Sequence, residues 1–125
     1  MTLLLADIIG IARHAHEANR LLCESTRDMS QTDWDNAPQW QKDSAISGVN
    51  FIIANPSATP ADAHESWLKE KRAHGWVYGP EKNVEMKEHP CMVPYNELPE
   101  AQRNKDLVFT TLVKSAIFIL STDQP

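Results

Sequence analysis

Aromatic and basic residues are concentrated between His64 and Arg103, and these residue types can hold a planar, anionic ligand. The rings and basic groups of this segment are Trp67, Trp76, Tyr78, Tyr95, Lys82, Lys87, His89 and Arg103. Large rings stack on planar groups, and cations hold the oxygens of a phosphate or carboxylate. The segment contains no glycine-rich phosphate loop and no complete set of metal ligands. Its composition therefore predicts binding rather than catalysis.

Two histidine motifs come near to catalytic or metal chemistry, and both are incomplete. His16 and Glu17 resemble the start of a zinc-protease helix, but the second histidine of that motif is replaced by Arg20. Arg20 can instead join a hydrogen-bond network with Glu17 or point into an anion pocket. His89 and Cys91 flank a proline, and no third group in the sequence orients the histidine. We therefore expect no metal, no cofactor and no enzymatic activity.

The overall composition excludes several classes of partner. Twelve basic residues against 17 acidic ones give a formal net charge of -5, whereas binding a nucleic acid duplex requires a surplus of Lys and Arg. Cys23 and Cys91 have no Cys-x-x-Cys companion, which favours buried thiols in a reducing cytoplasm over a disulfide framework. The apolar run from Leu107 to Leu120 is shorter than the roughly 20 residues of a membrane span, and Lys114 interrupts it. We expect a cytoplasmic protein that binds neither a duplex nor a membrane.

The N-terminal part of the chain, about residues 3–54, is expected to form two helices. Apolar residues recur at helical spacing over about residues 3–23 or slightly beyond, which predicts the first helix. Pro38 can occupy the first position of the second helix, because the missing N–H of proline is harmless there. It should end before Asn55-Pro56.

A third helix is expected from Thr59, an N-cap residue with Asp62 three positions later, to Gly75. Glycine suits the left-handed C-terminal cap because it has no β-carbon. Within this helix His64 and Trp67 are three residues apart and share a face. Two interpretations stay open. Either Trp67 fills the core while His64 donates to a backbone carbonyl, or the indole forms a stacking platform at the rim of a pocket.

The segment over about residues 76–95 is expected to be a long ordered loop, because its X-Pro steps disfavour helix. A short two-stranded β ribbon could pin it. Trp76 and Tyr78 alternate with Val77 at a period of two, which predicts a strand that shows both rings on one face. For Gly79 the pattern favours a turn over a close backbone approach.

The C-terminal part is expected to contain one turn of helix over 96–104, begun near Pro99, and a last helix over about 105–121. No repeat or flexible linker divides the chain. The sequence therefore predicts a single, mainly α-helical domain over residues 1–125.

Four blocks of this sequence resemble the ryanodine receptor repeat domain, or RyR domain. Members of that family show His-Glu-x-Trp, Gly-Trp-x-Tyr-Gly-Pro, His-Pro-Cys-x-Val and Leu-Pro-Glu-x-x-Arg-Asn in this order. The corresponding blocks here are His64–Trp67, Gly75–Pro80, His89–Val93 and Leu98–Asn104. The RyR-like region covers about residues 60–121. The N-terminal half looks like the version in small stand-alone proteins of bacteriophages and prophages.

The resemblance implies a role in ligand binding. Paired repeats in the calcium channels accept an adenine nucleotide and aromatic molecules, and the tryptophan of the first block stacks on the ligand. That role carries over to Trp67. Only one copy of the repeat is present here, so a complete site requires either a homodimer or the N-terminal helices as the missing wall. The channel repeats have an acidic pair after Gly-Pro where this chain has Glu81-Lys82, so the loop contacts should differ.

The leading hypothesis is a non-enzymatic module that binds an adenine nucleotide or an ADP-ribose-type ligand. In a phage or prophage it would sequester or sense a nucleotide signal in the cytoplasm of the bacterial host. The candidate ligand-binding residues are Trp67, Trp76, Tyr78, His64, Arg20, Lys82, Lys87, His89 and Arg103. The alternative is a protein-interaction module, since Trp, Tyr and Arg also anchor interfaces. A third hypothesis is a nucleotide-processing enzyme with His89 or His16 as its base.

Overall fold

Four helices account for most of the chain in this computed structural model, which describes residues 3–122. In chain order the elements are α1 (Leu5–Ser25), a 3-10 turn (Trp34–Asn36), α2 (Gln39–Ala54), α3 (Pro60–Ala73), β1 (Val77–Tyr78), β2 (Glu88–His89), a second 3-10 turn (Tyr95–Glu97) and α4 (Glu100–Thr122). The mainly helical fold with a short two-stranded ribbon is confirmed. The two strands are parallel, with Val77 opposite Glu88. No helix of the described residues is long and apolar enough to cross a membrane.

The main core lies where α1, α2 and α4 pack together. Its fully or nearly buried residues are Ile11, Ala12, Ala15, Trp34, Val49, Ile52 and Val113. Two alanines on α1 let the other helices approach closely, and the larger aliphatic side chains fill the space between them. Burying each Val or Ile side chain contributes about 1.5–3 kcal/mol. The helix packing that the apolar spacing predicts is therefore also the main source of stability.

Local hydrogen bonds define both ends of α3. Thr59 Oγ1 accepts from the Asp62 N–H at 3.1 Å, and Asp62 Oδ2 accepts from the Thr59 N–H at 3.0 Å. At the other end Gly75 has a φ of +86°. The Trp76 N–H donates to the Lys71 carbonyl at 3.0 Å, which completes a Schellman cap. The predicted beginning and end of this helix are confirmed.

The C-terminal cap of α3 corrects the prediction for Trp76 and Tyr78. Trp76 belongs to that cap rather than to a strand, and β1 begins only at Val77. As a result Trp76 is 7% exposed whereas Tyr78 is 57% exposed. The two rings do not lie on a common face of a strand.

Gly79 corrects a second prediction, because its role is close approach rather than a turn. A β-carbon at this position would lie 2.6 Å from the Cβ of Glu88. Any side chain here would therefore force β2 away from the end of β1.

The last helix is longer than predicted. The expected separate turn over 96–104 is replaced by the 3-10 turn and the first turns of a continuous α4, which begins at Glu100 rather than near residue 105. The N–H groups of Gln102 and Arg103 donate to the Pro99 carbonyl at 3.0 and 3.1 Å. Proline thus starts the helix directly, and no residue near position 105 interrupts it.

Candidate functional site

Three tryptophans and a histidine from separate parts of the chain meet at one place. Trp40 of α2 contacts Trp76 with ring centroids 5.5 Å apart. His89 of β2 makes edge contacts with Trp67 at 5.2 Å and with Trp76 at 6.3 Å. These four residues are called the ring cluster below. It joins α2, α3 and the ribbon around a few side chains.

A small apolar layer holds the ring cluster in place. Leu68, Met92 and Trp76 are buried at 1%, 7% and 7% exposure, and the half-buried Trp40 and Trp67 pack against them. The two half-buried indoles therefore combine a fixed position with some ring surface open to solvent. This combination suits a stacking platform.

Two lysines lie over the rings of the cluster. The Lys71 Nζ is 5.2 Å from the centroid of Trp40 and 5.8 Å from that of Trp76. The Lys82 Nζ is 4.7 Å from the Trp40 centroid. These distances are within the range of cation–π attraction. Lys71 comes from α3, whereas Lys82 comes from the loop between the strands.

His89 is neutral at physiological pH in this surrounding. Burial, followed by the positive charges of Lys82 and Lys71, lowers the pKa of His89 to about 4. Its Nδ1 accepts a hydrogen bond from the Cys91 N–H at 3.0 Å, which leaves the proton on Nε2. His89 can therefore donate one hydrogen bond to a ligand, but it does not act as a cation.

His64 lies behind Trp67 and is 4% exposed. Its Nε2 donates to the Val93 carbonyl at 2.7 Å, as one of the two sequence-based interpretations predicted. Its ring stacks on Trp67 with centroids 5.6 Å apart and 23° between the planes. The histidine thus supports one face of the half-buried indole and ties α3 to the segment before α4. The hydrogen bond of His64 to a backbone carbonyl is confirmed, whereas Trp67 is half-buried rather than fully inside the core.

The carboxylate of Asp106, on α4, lies close to His64. Its Oδ2 lies 3.8 Å from His64 Nδ1 and has no hydrogen-bond partner among the residues the structure describes. Burial raises the pKa of Asp106 to about 6, although His64 and Lys105 oppose the shift. The Asp106 carboxylate therefore takes up a proton at a higher pH than a solvent-exposed aspartate does.

Cys91 is a poor nucleophile in this structure. Burial, reinforced by Asp106, raises the pKa of the Cys91 thiol to about 11. The thiolate is the reactive form, and almost none is present near pH 7. Neither the lowered pKa of His89 nor the raised pKa of Cys91 suits base and nucleophile roles for this pair. Within residues 3–122 no group of three or more His, Cys, Asp or Glu side chains could hold a metal ion.

Several residues proposed from the sequence lie outside the ring cluster. Arg20 is engaged by two carboxylates of α1, at 2.6 Å from Glu17 and 2.9 Å from Glu24. Lys87 donates to the His74 carbonyl at 2.7 Å. Arg103 lies half-buried in the first turns of α4, and Tyr78 is exposed on β1. Of the candidate residues, Trp67, Trp76, His64, Lys82 and His89 are brought together.

Trp40 and Lys71 were not among the residues predicted from the sequence. Lys71 follows Trp67 by four residues on a helix, and this spacing places both side chains on one face. The sequence alone could therefore have indicated Lys71 as a neighbour of Trp67. Trp40 is far in sequence from the four RyR-like blocks. Only the packing of α2 against α3 shows that it belongs to the ring cluster. Lys105 was also not predicted. After burial, its positive charge is one of the causes that lower the pKa of both His89 and Lys82.

Two surface hollows flank this region. An open hollow of about 840 Å³ lies between the end of α2 and the start of α3, and its lining residues include none of the ring cluster. A smaller hollow of about 250 Å³ adjoins Lys82, but Glu81 and Glu88 also line it. Carboxylates in the lining make that hollow unfavourable for an anion. The exposed parts of the ring cluster remain the best candidate for a ligand-binding surface.

Comparison with known protein families gives one result for this region. The model of the RyR domain family matches residues 55–119, slightly more than half of the chain. The matched region contains α3, both strands and most of α4. It therefore contains every residue of the ring cluster except Trp40.

Proposed function

Because the chain belongs to the RyR domain family, we propose that it is a non-enzymatic module that binds an adenine nucleotide or an ADP-ribose-type molecule. The observation that carries the proposal is the ring cluster with lysines at its edge, in a protein whose formal net charge is -5. A local cationic region in an acidic protein suits a small anion better than a polyanion. Rings next to those cations suit an anion that also carries a planar base.

In this proposal Trp67 stacks on the base. A base on an indole contributes about 1–3 kcal/mol, and Trp67 has His64 behind it to hold the ring in place. His89 lies beside the same ring and donates from Nε2 to a base or ribose oxygen. Lys82 is the favoured partner for phosphate. Arg20 and Lys87 lose support as ligand contacts because Glu17, Glu24 and a backbone carbonyl already engage them.

The contacts around the site favour binding without turnover. The high pKa of the Cys91 thiol and the low pKa of His89 leave this pair poorly suited to nucleophilic catalysis. His64 is buried and uses its Nε2 for the Val93 carbonyl. The proposal predicts that a bound nucleotide is recovered unchanged, which chromatography of the ligand after incubation measures.

The position of Trp40 supports a site formed within one chain. This ring comes from α2 and contacts Trp76, so the N-terminal helices supply a wall beside the RyR-like part. In this proposal one chain supplies the complete site. In a phage or prophage, such a module would sequester or sense a nucleotide signal in the host cytoplasm.

A thermal-shift screen against ATP, ADP, ADP-ribose, cyclic ADP-ribose isomers, NAD and cyclic dinucleotides tests the proposal. A ligand at 100 times its Kd adds about 2.7 kcal/mol of stability to the folded state. Trp67→Ala should abolish the shift produced by the best ligand while the helical circular dichroism stays unchanged.

Trp34→Phe is the matched control, since Trp34 is buried in the main core and not in the ring cluster. It should lower the melting temperature without changing the ligand-induced shift. Equal ligand affinity in wild type and Trp67→Ala would refute the stacking role. A panel without any hit would refute nucleotide binding.

The second candidate function is protein binding, favoured by exposed apolar side chains around the ribbon. Val77, Tyr78, Val84 and Met86 are 55%, 57%, 47% and 67% exposed. Isolated apolar residues are normal on a surface, whereas a group of exposed apolar residues on one patch favours an interaction surface. Light scattering distinguishes the two functions. A ligand-independent assembly that Tyr78→Ser and Met86→Ser disrupt would favour protein binding.

A further inference from the structure

Lys71 is a largely buried lysine, with 6% of the residue exposed. Its ammonium group has neither a hydrogen-bond acceptor nor an ion-pair partner in the described part of the chain. The ammonium lies over the faces of Trp40 and Trp76. Cation–π attraction replaces only part of the hydration that the ammonium loses on partial burial. The Lys71 Nζ is not one of the fully buried polar atoms of residues 3–122, so its N–H groups can donate to a ligand at the surface.

Nearby carboxylates do not neutralise this charge by direct contact. Glu70 and Asp43 are close enough to raise the pKa of Lys71, but burial outweighs them and the net direction is downward. Glu70 already accepts a hydrogen bond from Ser47, and Asp43 accepts one from Gln39 at 2.8 Å. Both carboxylates therefore have other partners.

A second ammonium group lies over the same indole. The Lys82 Nζ is 4.7 Å from the Trp40 centroid, compared with 5.2 Å for the Lys71 Nζ. Desolvation of its ammonium group lowers the pKa of Lys82, and the positive charges of Lys105 and Lys71 lower it further. An anion in contact with the Lys71 and Lys82 ammonium groups would offset this repulsion and accept hydrogen bonds from them.

We infer that Lys71, Lys82 and Trp40 form an anion subsite for a phosphate group, adjacent to Trp67. Two ammonium groups match a phosphate better than a carboxylate, because phosphate carries more charge and more acceptor oxygens. The subsite includes Trp40 of α2, which lies outside the matched residues 55–119. It is therefore built from the N-terminal helices together with the RyR domain. The identity of the natural ligand, but not the subsite itself, rests on the proposed nucleotide-binding function.

Titration calorimetry with pyrophosphate, ADP and adenosine tests the subsite separately from the base-binding ring. Wild type should bind pyrophosphate and should bind ADP more tightly than adenosine. Lys82→Gln and Lys71→Gln should each weaken pyrophosphate and ADP binding about tenfold, the loss expected for one charge-assisted hydrogen bond. Adenosine binding should be unchanged in both variants.

Lys69→Gln is the matched control, because Lys69 is an exposed lysine of the same helix that lines the separate hollow near Asp62. It should leave all three affinities unchanged. If Lys71→Gln does not fold, Lys82→Gln decides the question, since Lys82 is exposed and is not part of either core.

The outcomes separate the subsite from the proposed function. Undetectable pyrophosphate binding, or ADP affinities that both lysine variants leave unchanged, would overturn the subsite even if adenosine binds. A third outcome would support the subsite and overturn nucleotide recognition. In that outcome pyrophosphate binding depends on the lysines, adenosine does not bind, and ADP binds no more tightly than pyrophosphate. Tighter ADP than pyrophosphate binding would identify the phosphate as part of a nucleotide rather than a free anion.

Discussion

The main core and the ring cluster are stabilised in different ways. The main core consists of aliphatic and alanine side chains from α1, α2 and α4, together with Trp34. The ring cluster has only Leu68, Met92 and Trp76 as its buried apolar layer, and it surrounds them with half-buried rings, two lysines and a histidine. Aliphatic packing in the main core stabilises the fold. The ring cluster instead contains partly buried charges and groups with incomplete hydrogen bonding.

This difference is informative about function. Partial burial of the Lys71 ammonium without an ion-pair partner costs stability relative to an apolar residue. The main core must compensate for that cost. Under the proposed function, an anion that pairs with the Lys71 and Lys82 charges would offset it.

The largest expected effect comes from truncating one residue in each region. Ile52→Ala and Leu68→Ala should each reduce the free energy of unfolding by about 2–5 kcal/mol, because both side chains are 1% exposed. Urea denaturation measures this loss. Only Leu68→Ala should also weaken nucleotide binding, because Leu68 supports the ring cluster. If folded Ile52→Ala loses as much affinity as Leu68→Ala, the two regions are not functionally separate.

The next largest effect is a pH dependence at His89. Its pKa is lowered from about 6.5 to about 4, so the unfolded chain binds a proton in this window while the native protein does not. Stability should therefore fall as the pH drops from 6.5 to 4, by up to about 3 kcal/mol from this group. His89→Gln removes that contribution. Urea denaturation between pH 4 and 7.5 should show wild type losing stability relative to His89→Gln.

Asp106 provides a control of opposite sign. Its pKa is raised from 3.8 to about 6, so the native protein binds a proton before the unfolded chain does, and stability should rise as the pH falls through 6 towards 3.8. Asp106→Asn abolishes this gain. The two contributions oppose each other in wild type and should separate in the single variants. Parallel pH profiles for all three proteins would contradict both assigned pKa shifts.

The smallest expected effect concerns the helix that connects the regions. Thr59→Ala removes the N-cap hydrogen bond of α3 and should cost about 1 kcal/mol, whereas Thr59→Ser should retain most of the stability. Thermal denaturation measures the difference. Ligand affinity should stay unchanged, because Thr59 is a full two turns before Trp67. An affinity loss in Thr59→Ala would indicate that fraying of α3 reaches the site.

Local signals predicted much of the fold. The bounds of α3 follow from the capping box of Thr59 and Asp62 and from Gly75, since each of these acts within a few residues of the helix end. The start of α4 was predicted less well. The residues after Pro99 form regular helix at once, and the sequence pattern had suggested two pieces.

The candidate site was predicted only in part. Trp67, Trp76, His89 and Lys82 were identified because they lie close together in sequence and belong to the RyR-like blocks. Arg20 was a reasonable candidate by residue type. Two carboxylates of α1, however, already engage its guanidinium group.

By itself the sequence determined the residue types, both ends of α3 and the family, because these depend on short-range spacing and on motifs that can be read directly. Only the tertiary structure decided which ring faces solvent, which lysine is buried and which histidine is neutral. Those properties depend on burial and on charges from distant elements. Trp40 reaches the ring cluster through the packing of α2 against α3, and Lys105 lowers the pKa of His89 from α4. No local pattern contains that information.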